Sequence, residues 1–394
     1  MSLDIALSGL NAVNTSLDTI SNNIANAGTY GFKSGRANFA SIYAGSQPTG
    51  TAIDSITQSI EKGGNVITTG RNLDVSIQGR GFFATRDSNG TASYTRVGIF
   101  SVDKSGFVVD SFGHKVQGYT ATPGTTTLGP IGSLQVPTGQ IAATATDTMS
   151  YSGNLSADWT TPANAFNTTD PTTYNSALST VVYDSLGTQH TLTQYFVHTN
   201  TSEVTVNYAF DGTDLGISQV LQFDTLGALT SPTTPVTVSL GTPNGANQLD
   251  VNIDYTDTTQ FAGEATTLTN AANGYSAGVM KDLQIEKDGS VMAQYSNGQK
   301  QLVGMLALAT FPDENSLVSV SDTAWAESNA SGTPLFFKPG TGIAGDVTGG
   351  TLEQSNVDVA NELVGLMVSQ RNYQANSKVI STENQMLQSL MQAV

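Results

Sequence analysis

Apolar side chains recur at Leu3, Ala6, Leu10, Val13, Leu17, Ile20, Ile24 and Ala27. This strict alternation of three- and four-residue steps places all of them on one stripe of an α-helix. The stripe runs into the Asn-rich stretch Ser21-Asn-Asn-Ile-Ala-Asn-Ala-Gly28, where Gly28 is expected to supply a left-handed cap and Gly31 a second flexible point just beyond. At the other end of the chain Val359, Leu366, Tyr373, Ile380, Leu387 and Val394 follow one another seven residues apart, with Leu363 and Met391 in the second seam position. The pattern predicts a helix from about 357 to 394, roughly 55 Å long at about 1.5 Å per residue. Asn356 or Ser355 is expected to cap it, with Asp358 and Glu362 set against the positive end of its dipole.

Between the two seams the period changes to two. Leu73 to Ile77, Ser179 to Tyr183, Thr191 to Val197, Val204 to Phe210, Gln248 to Tyr255 and Gln301 to Phe311 read as strands. Asn89-Gly90, Asp211-Gly212, Asn244-Gly245, Asn273-Gly274, Asp288-Gly289 and Asn297-Gly298 suit tight hairpin turns. Residues 120–175 and 225–275, rich in Thr, Pro, Asn and Ala, are expected to be linkers or exposed loops at the edges of an inserted domain. The fold class is mixed and mainly β: a discontinuous multi-domain subunit whose terminal helices pair as a coiled-coil-like unit. Neither helix can bury its stripe alone, so the ends must pack on each other or on copies of themselves.

Composition narrows the function classes. At 394 residues the chain can bury more than one core. It has no cysteine, which removes disulfides, thiolate metal sites and cysteine nucleophiles. Fifteen basic against 32 acidic residues leave a net charge of −17, which argues against nucleic acid or an anionic membrane as partner. No apolar run is long enough to span a bilayer, and the N-terminus lacks the basic and apolar regions of a cleavable secretory signal.

Candidate chemistry is sparse. Gly340, Gly342 and Gly345 have the spacing of a dinucleotide loop, but the segment leads into Asp346-Val-Thr-Gly-Gly350 rather than a helix, so a Gly-rich loop is the better reading. His190 and His198 share one side of a strand without a carboxylate motif beside them, which favours packing roles over metal ligation. Asp282, Glu286 and Asp288 suit a solvated hairpin as well as paired acid–base groups. No nucleophile elbow or calcium loop is present, so no enzyme activity, cofactor or metal is expected. One further pattern stands out: Gln370, Gln374, Ser377, Ser381, Gln385, Gln388 and Gln392 form an uncharged polar stripe beside the last apolar seam.

The stretch Ser21 to Lys33, SNNIANAGTYGFK, closely resembles the signature of bacterial flagellar rod and hook proteins. Leu73-Asp-Val-Ser-Ile-Gln-Gly-Arg-Gly-Phe-Phe83 is similar to the segment that opens their β domain. Tyr94-Thr-Arg96, Lys115-Val-Gln-Gly-Tyr119, Tyr295-Ser-Asn-Gly-Gln299, Leu352-Glu-Gln-Ser-Asn-Val-Asp358 and Gln370-Arg-Asn-Tyr-Gln-Ala-Asn376 match further motifs in the same order. Ile99 and Pro312-Asp-Glu-Asn-Ser316 depart from the pattern. Length and a large inserted middle point to a hook rather than a rod member.

The resemblance implies four regions: an inner helical domain of 1–28 plus 357–394, a linking region of 29–70 with about 345–356, a β-rich middle domain of 71–145 plus 285–344, and an inserted outer β domain of 146–284. It implies a self-polymerising extracellular hook or basal-body subunit, a tubular universal joint that carries motor torque and contains the export channel. Partners so implied are the rod at the base, hook cap and hook–filament junction proteins at the tip, and the type III export apparatus. Expected assembly residues are Leu3, Leu10, Val13, Leu17, Ile20, Ile24, Val359, Leu363, Leu366, Tyr373, Ile380 and Leu387. Gln374, Ser381, Gln385 and Gln388 are expected to face the lumen, Gly28 and Gly31 to form the joint, and Asn22, Asn23 and Asn26 to offer hydrogen bonds to neighbours. A distal rod protein and, from another class, a secreted β-rich adhesin are the alternatives.

Overall fold

A computed structural model describes residues 2–44, 47–122, 124–137 and 139–393; Val394, the last position of the heptad run, lies outside them. The chain divides into two compact units. One comprises Met1–Thr138, Lys281–Gln294 and Lys300–Val394, the other Gly139–Met280 and Tyr295–Gln299.

The first unit carries both long helices, α1 (Ser2–Ala25) and α2 (Val359–Ala393). α1 stops before Gly28, which is not left-handed. The Asn26 amide is shared between the carbonyls of Asn22 (3.1 Å) and Asn23 (3.2 Å), and Thr29 N–H bonds Asn26 O at 3.0 Å, so the helix tightens into turns instead of ending in a glycine cap. The left-handed residue is Gly31, at φ 68°; a Cβ there would stand 3.0 Å from the backbone of Arg96 and Val97, so both conformation and space exclude other residues. α2 is capped by Asp358, not by Asn356 or Ser355: its Oδ1 accepts from the amides of Ala360 (3.1 Å) and Asn361 (3.2 Å). Asn356 is engaged elsewhere, donating to the carbonyls of Ser59 and Lys62 (both 2.9 Å) and accepting from Ser34 N–H at 2.8 Å.

After α1 the chain forms a ribbon, β1 (Gly35–Ala44) with β2 (Gln47–Gln58), whose Thr51 amide bonds Ser8 Oγ of α1 at 3.2 Å. Two short ladders, Val66–Thr68 with Thr351–Glu353 and Val75–Gln78 with Asp346–Gly349, tie the outgoing and returning arms of the chain together. Beyond them lies a sheet with strand order 280–285, 290–295, 300–306, 115–121, 82–86, 92–95, 324–326 and 318–320. Its core is aromatic. Phe311 meets Phe82 and Tyr94 edge-on at 6.1 and 4.8 Å, and buried Trp325 donates to Gln58 Oε1 at 2.7 Å.

The second unit is a β-sandwich. Strands 176–183, 189–200, 203–210, 213–223 and 229–231 form one antiparallel meander. In the other sheet 148–156 is central, parallel to 250–254 and 259–261 and antiparallel to 266–272. The inward residues of both sheets, among them Tyr151, Phe196, Val206, Tyr208, Val251 and Tyr255, make one core. The Thr- and Asn-rich segments expected to be loops therefore supply much of a sheet. Alternation is the reason: Met149, Tyr151 and Leu155 are buried between polar neighbours, and a polar outward face lowers a strand's hydrophobicity without weakening its pairing.

Among the Asn-Gly and Asp-Gly pairs, Asp211-Gly212 is a two-residue turn with both φ positive (48° and 81°), while Gly274 lacks positive φ and joins no hairpin. The Gly340–Gly345 segment is a loop leading into strand 346–349. Glu286 pairs with Lys300 at 3.5 Å and Asp288 accepts from Ser290 N–H at 2.9 Å, which makes both of them hairpin residues.

Candidate functional site

The helix pair is antiparallel. As α1 advances from Gly9 to Ile20 to Asn23, its partners on α2 retreat from Asn376 to Gly365 to Glu362. The approach is close: a Cβ on Gly9 would stand 2.9 Å from Asn376 Nδ2, and one on Gly365 would stand 3.4 Å from Ile20 Cδ1. Small residues thus set the spacing, as they do wherever helix backbones come near each other.

On α1 the predicted stripe is covered in part: Val13 is buried, Leu10, Leu17, Ile20 and Ile24 are half-buried, and Leu3 is exposed. On α2 the seam is rotated away. The described α2 residues that are not exposed are Glu362, Gly365, Leu366, Ser369, Asn376, Ile380 and Glu383, so of the expected seam only Leu366 and Ile380 touch the covered face. Val359, Leu363, Tyr373 and Leu387 stand 40 to 49% exposed. Gln374, Ser381, Gln385 and Gln388 are all exposed; at 3.6 residues per turn their stripe lies about 130° around the helix from the covered face. Val364, Val368, Val379 and Met386 form a further exposed apolar strip.

The Asn-rich stretch is used inside the chain. Asn23 is buried and makes a reciprocal pair with Gly35, its Oδ1 accepting from Gly35 N–H and its Nδ2 donating to Gly35 O, both at 2.8 Å. The same Nδ2 donates to Glu362 Oε1 at 3.0 Å. Asn26 donates to Asn22 O at 3.0 Å and its Oδ1 accepts from Thr29 Oγ1 at 3.1 Å.

Where the helices join the β body, three of the motifs meet in a buried ion cluster that their separate positions in sequence do not reveal. Glu353 Oε1 is 2.6 Å from Lys33 Nζ, and its Oε2 is 3.4 Å from Arg96 Nη1; all three side chains are at most 1% exposed. Lys33 also donates to Lys62 O at 2.9 Å, Arg96 to Gly79 O at 2.9 Å, and Gly64 N–H to Glu353 Oε1 at 3.0 Å. Burial lowers the pKa of both Lys33 and Arg96, and Glu353 opposes it in each case. Arg96 also stacks over Phe82, 5.3 Å from the ring centre. Beside this cluster Glu314, within the Pro312–Ser316 departure, is buried and bonded to Arg80 at 3.2 Å. The signal available in sequence was that Lys33 and Arg96 sit between apolar or small residues, in Tyr-Gly-Phe-Lys33 and Tyr-Thr-Arg-Val97.

In the second unit His190 lies between two carboxylates, with Nδ1 2.7 Å from Asp211 Oδ2 and Nε2 3.4 Å from Asp184 Oδ2. His198 bonds Thr161 Oγ1 at 3.1 Å. Both histidines face inward from one strand, as its alternation requires.

Comparison with known proteins covers most of the chain. Family models match it as follows: flagella basal body rod protein at 3–33, flagellar hook protein FlgE/F/G D1 domain at 76–157, flagellar basal body protein FlaE D2 domain at 154–275, and flagellar basal body rod FlgEFG protein C-terminal at 348–393. The flagellar hook protein FlgE of Salmonella typhimurium is 40% identical, covering 99% of both chains. That of Treponema pallidum is 31% identical over 99% of this chain and 98% of its own. The crystal structure of Helicobacter pylori flagellar hook protein FlgE2 shares the fold, with a TM-score of 0.54 at 13% identity, covering 71% of this chain and 98% of that one.

Proposed function

The chain belongs to the flagellar hook protein family, and on that premise we propose that it is the structural subunit of a bacterial flagellar hook. Copies polymerise into a flexible tube that transmits motor torque to the filament and encloses the export channel. The observation that carries this reading is the pair of terminal helices with apolar residues of both seams left in water. Burying such surface contributes about 25 cal/mol per Å² before ordering costs, so the surface exposed in the subunit becomes assembly energy.

The subunit catalyses no reaction and needs no cofactor. It leaves the cell through the flagellar type III apparatus, joins the rod at the base, and meets cap and hook–filament junction proteins at the tip. It involves neither nucleic acid nor membrane insertion; among the described residues no helix is long and apolar enough to cross a bilayer. Residues 1–28 with 357–394 form the inner assembly domain, 29–70 with about 345–356 the linking region, 71–145 with 285–344 the middle domain and 146–284 the outer domain. The exposed Val359, Leu363, Tyr373 and Leu387 pack on neighbouring copies, and the Gln374–Gln388 stripe faces the lumen.

Deletion of residues 2–25 tests the assembly reading. The purified variant keeps its β units folded by circular dichroism and forms no tubes by electron microscopy. Tubes that grow as well as those of the full chain would refute it.

A further inference from the structure

The charges of the two helices are segregated by face. α1 carries only Asp4 and Asp18. On α2 the acids Glu362 and Glu383 are half-buried on the covered side, so beyond the first turn the outward charge is basic, from Arg371 and Lys378. Both are exposed, and neither side chain has a partner among the described residues. Seven residues apart, they lie within about 20° of each other around the helix, between the exposed strip containing Val364 and Val368 and the Gln/Ser stripe.

Asp18 stands at the rim of a cleft of about 380 Å³ between α1 and the β1–β2 ribbon, with Phe32 and Ile56 in its wall. Ile56 is 56% exposed, and Asp18 has no bonded partner among the described residues. Phe32 and Ile56, set in a lining otherwise of Thr, Asn, Gln and Gly beside a carboxylate, suit a long cationic side chain, whose methylene stem covers the apolar part while its head reaches the acid.

We propose that this cleft receives the Arg371–Lys378 face of α2 from a second copy of the chain, with Asp18 as the acceptor. The inference rests on the hook-subunit reading and specifies one of its contacts. The two surfaces are different patches of the same molecule and complementary in charge, so the contact is heterologous. Repeated without closure, such a contact generates an open helical assembly rather than a dimer, and its electrostatics select the register.

Growth of tubes from the purified full-length chain tests the contact, with the critical concentration as readout. Asp18→Lys raises it at least about tenfold, and so does the pair Arg371→Glu with Lys378→Glu. Combining all three changes restores it to within about threefold of the parent value. All the altered side chains lie outside the cores, so circular dichroism and the thermal midpoint of the monomer stay unchanged. If the parent chain itself grows no tubes, the hook-subunit reading fails. If it grows tubes and either reversal leaves the critical concentration unaltered, the proposed contact is wrong. Failure of the triple variant to recover also overturns it, because Asp18 would then act through some other partner.

Discussion

Glu353 holds two cations in a site with no access to water, and the energetic consequence is lopsided. The intact cluster adds little net stability, because desolvation of three charges offsets their attraction; removing the anion alone leaves Lys33 and Arg96 buried and repelling each other. Glu353→Gln should destabilise the first unit by about 3–5 kcal/mol, read in urea unfolding by the fluorescence of Trp325. His190 shows the same logic in titratable form. Burial works against its charged form, but hydrogen bonds to Asp211 and Asp184 outweigh it and raise the pKa above the ordinary value. Its stabilisation is therefore complete below about pH 6.5 and is lost as pH rises through the folded value. Asp184 and Asp211 are also opposed by burial, yet they are shifted down by backbone amides and by His190; their contribution is lost at the acid end instead. Between pH 6 and 8 the thermal midpoint of the sandwich should fall by a few degrees, and His190→Gln should flatten that dependence.

Among the elements, α2 shows what a heptad does and does not specify. Its seam predicts a helix and a sticky face, but the face that meets α1 within the subunit is centred on Gly365, Ser369 and Asn376, whose small side chains allow the close approach seen at Gly9. Of the bulky seam residues only Leu366 and Ile380 share that face; Val359, Leu363, Tyr373 and Leu387 are displaced to the flanks, where another molecule can reach them. The Asp358 cap matters in proportion to this exposure, since a helix with one covered side draws little stability from packing. Asp358→Ala should cost about 1 kcal/mol, appearing as roughly fivefold faster amide exchange in the first turn of α2. The tight turns of the β units share a device of their own. At Asp87, Asp103, Asp110, Asp184 and Asp224 an Asp-x-x-Gly pattern recurs: the carboxylate accepts amides two and four residues on, and the glycine three residues on has positive φ. This rule is legible in the sequence. Asn-Gly and Asp-Gly pairs alone do not reveal it, because three of these glycines follow Phe, Leu or Leu and only the more distant aspartate marks the turn.

For the whole molecule, α2 presents sides of different polarity: one on α1, one uncharged stripe of Gln and Ser, and one apolar strip, with Arg371 and Lys378 between the last two. A lumen that conducts unfolded chains gains from a lining without charge, because fixed charges would retain passing segments of opposite sign. Replacing Gln374, Gln385 and Gln388 with Lys should slow filament growth in cells, measured as filament length against time, while hooks still form; unchanged growth would remove these residues from the channel wall.

Short-range periodicity and contiguous residues are enough to specify the two terminal helices, the mainly β middle and the family motifs. Folding in three dimensions was needed to bring Lys33, Arg96 and Glu353 into one buried site, to complete a sandwich from Thr- and Asn-rich segments, and to turn the α2 seam partly away from α1. These outcomes depend on which surfaces meet across hundreds of residues. A helix or strand pattern states which faces are apolar; packing geometry, set by the smallest side chains at each crossing, selects which of them the chain covers and which it leaves for its neighbours.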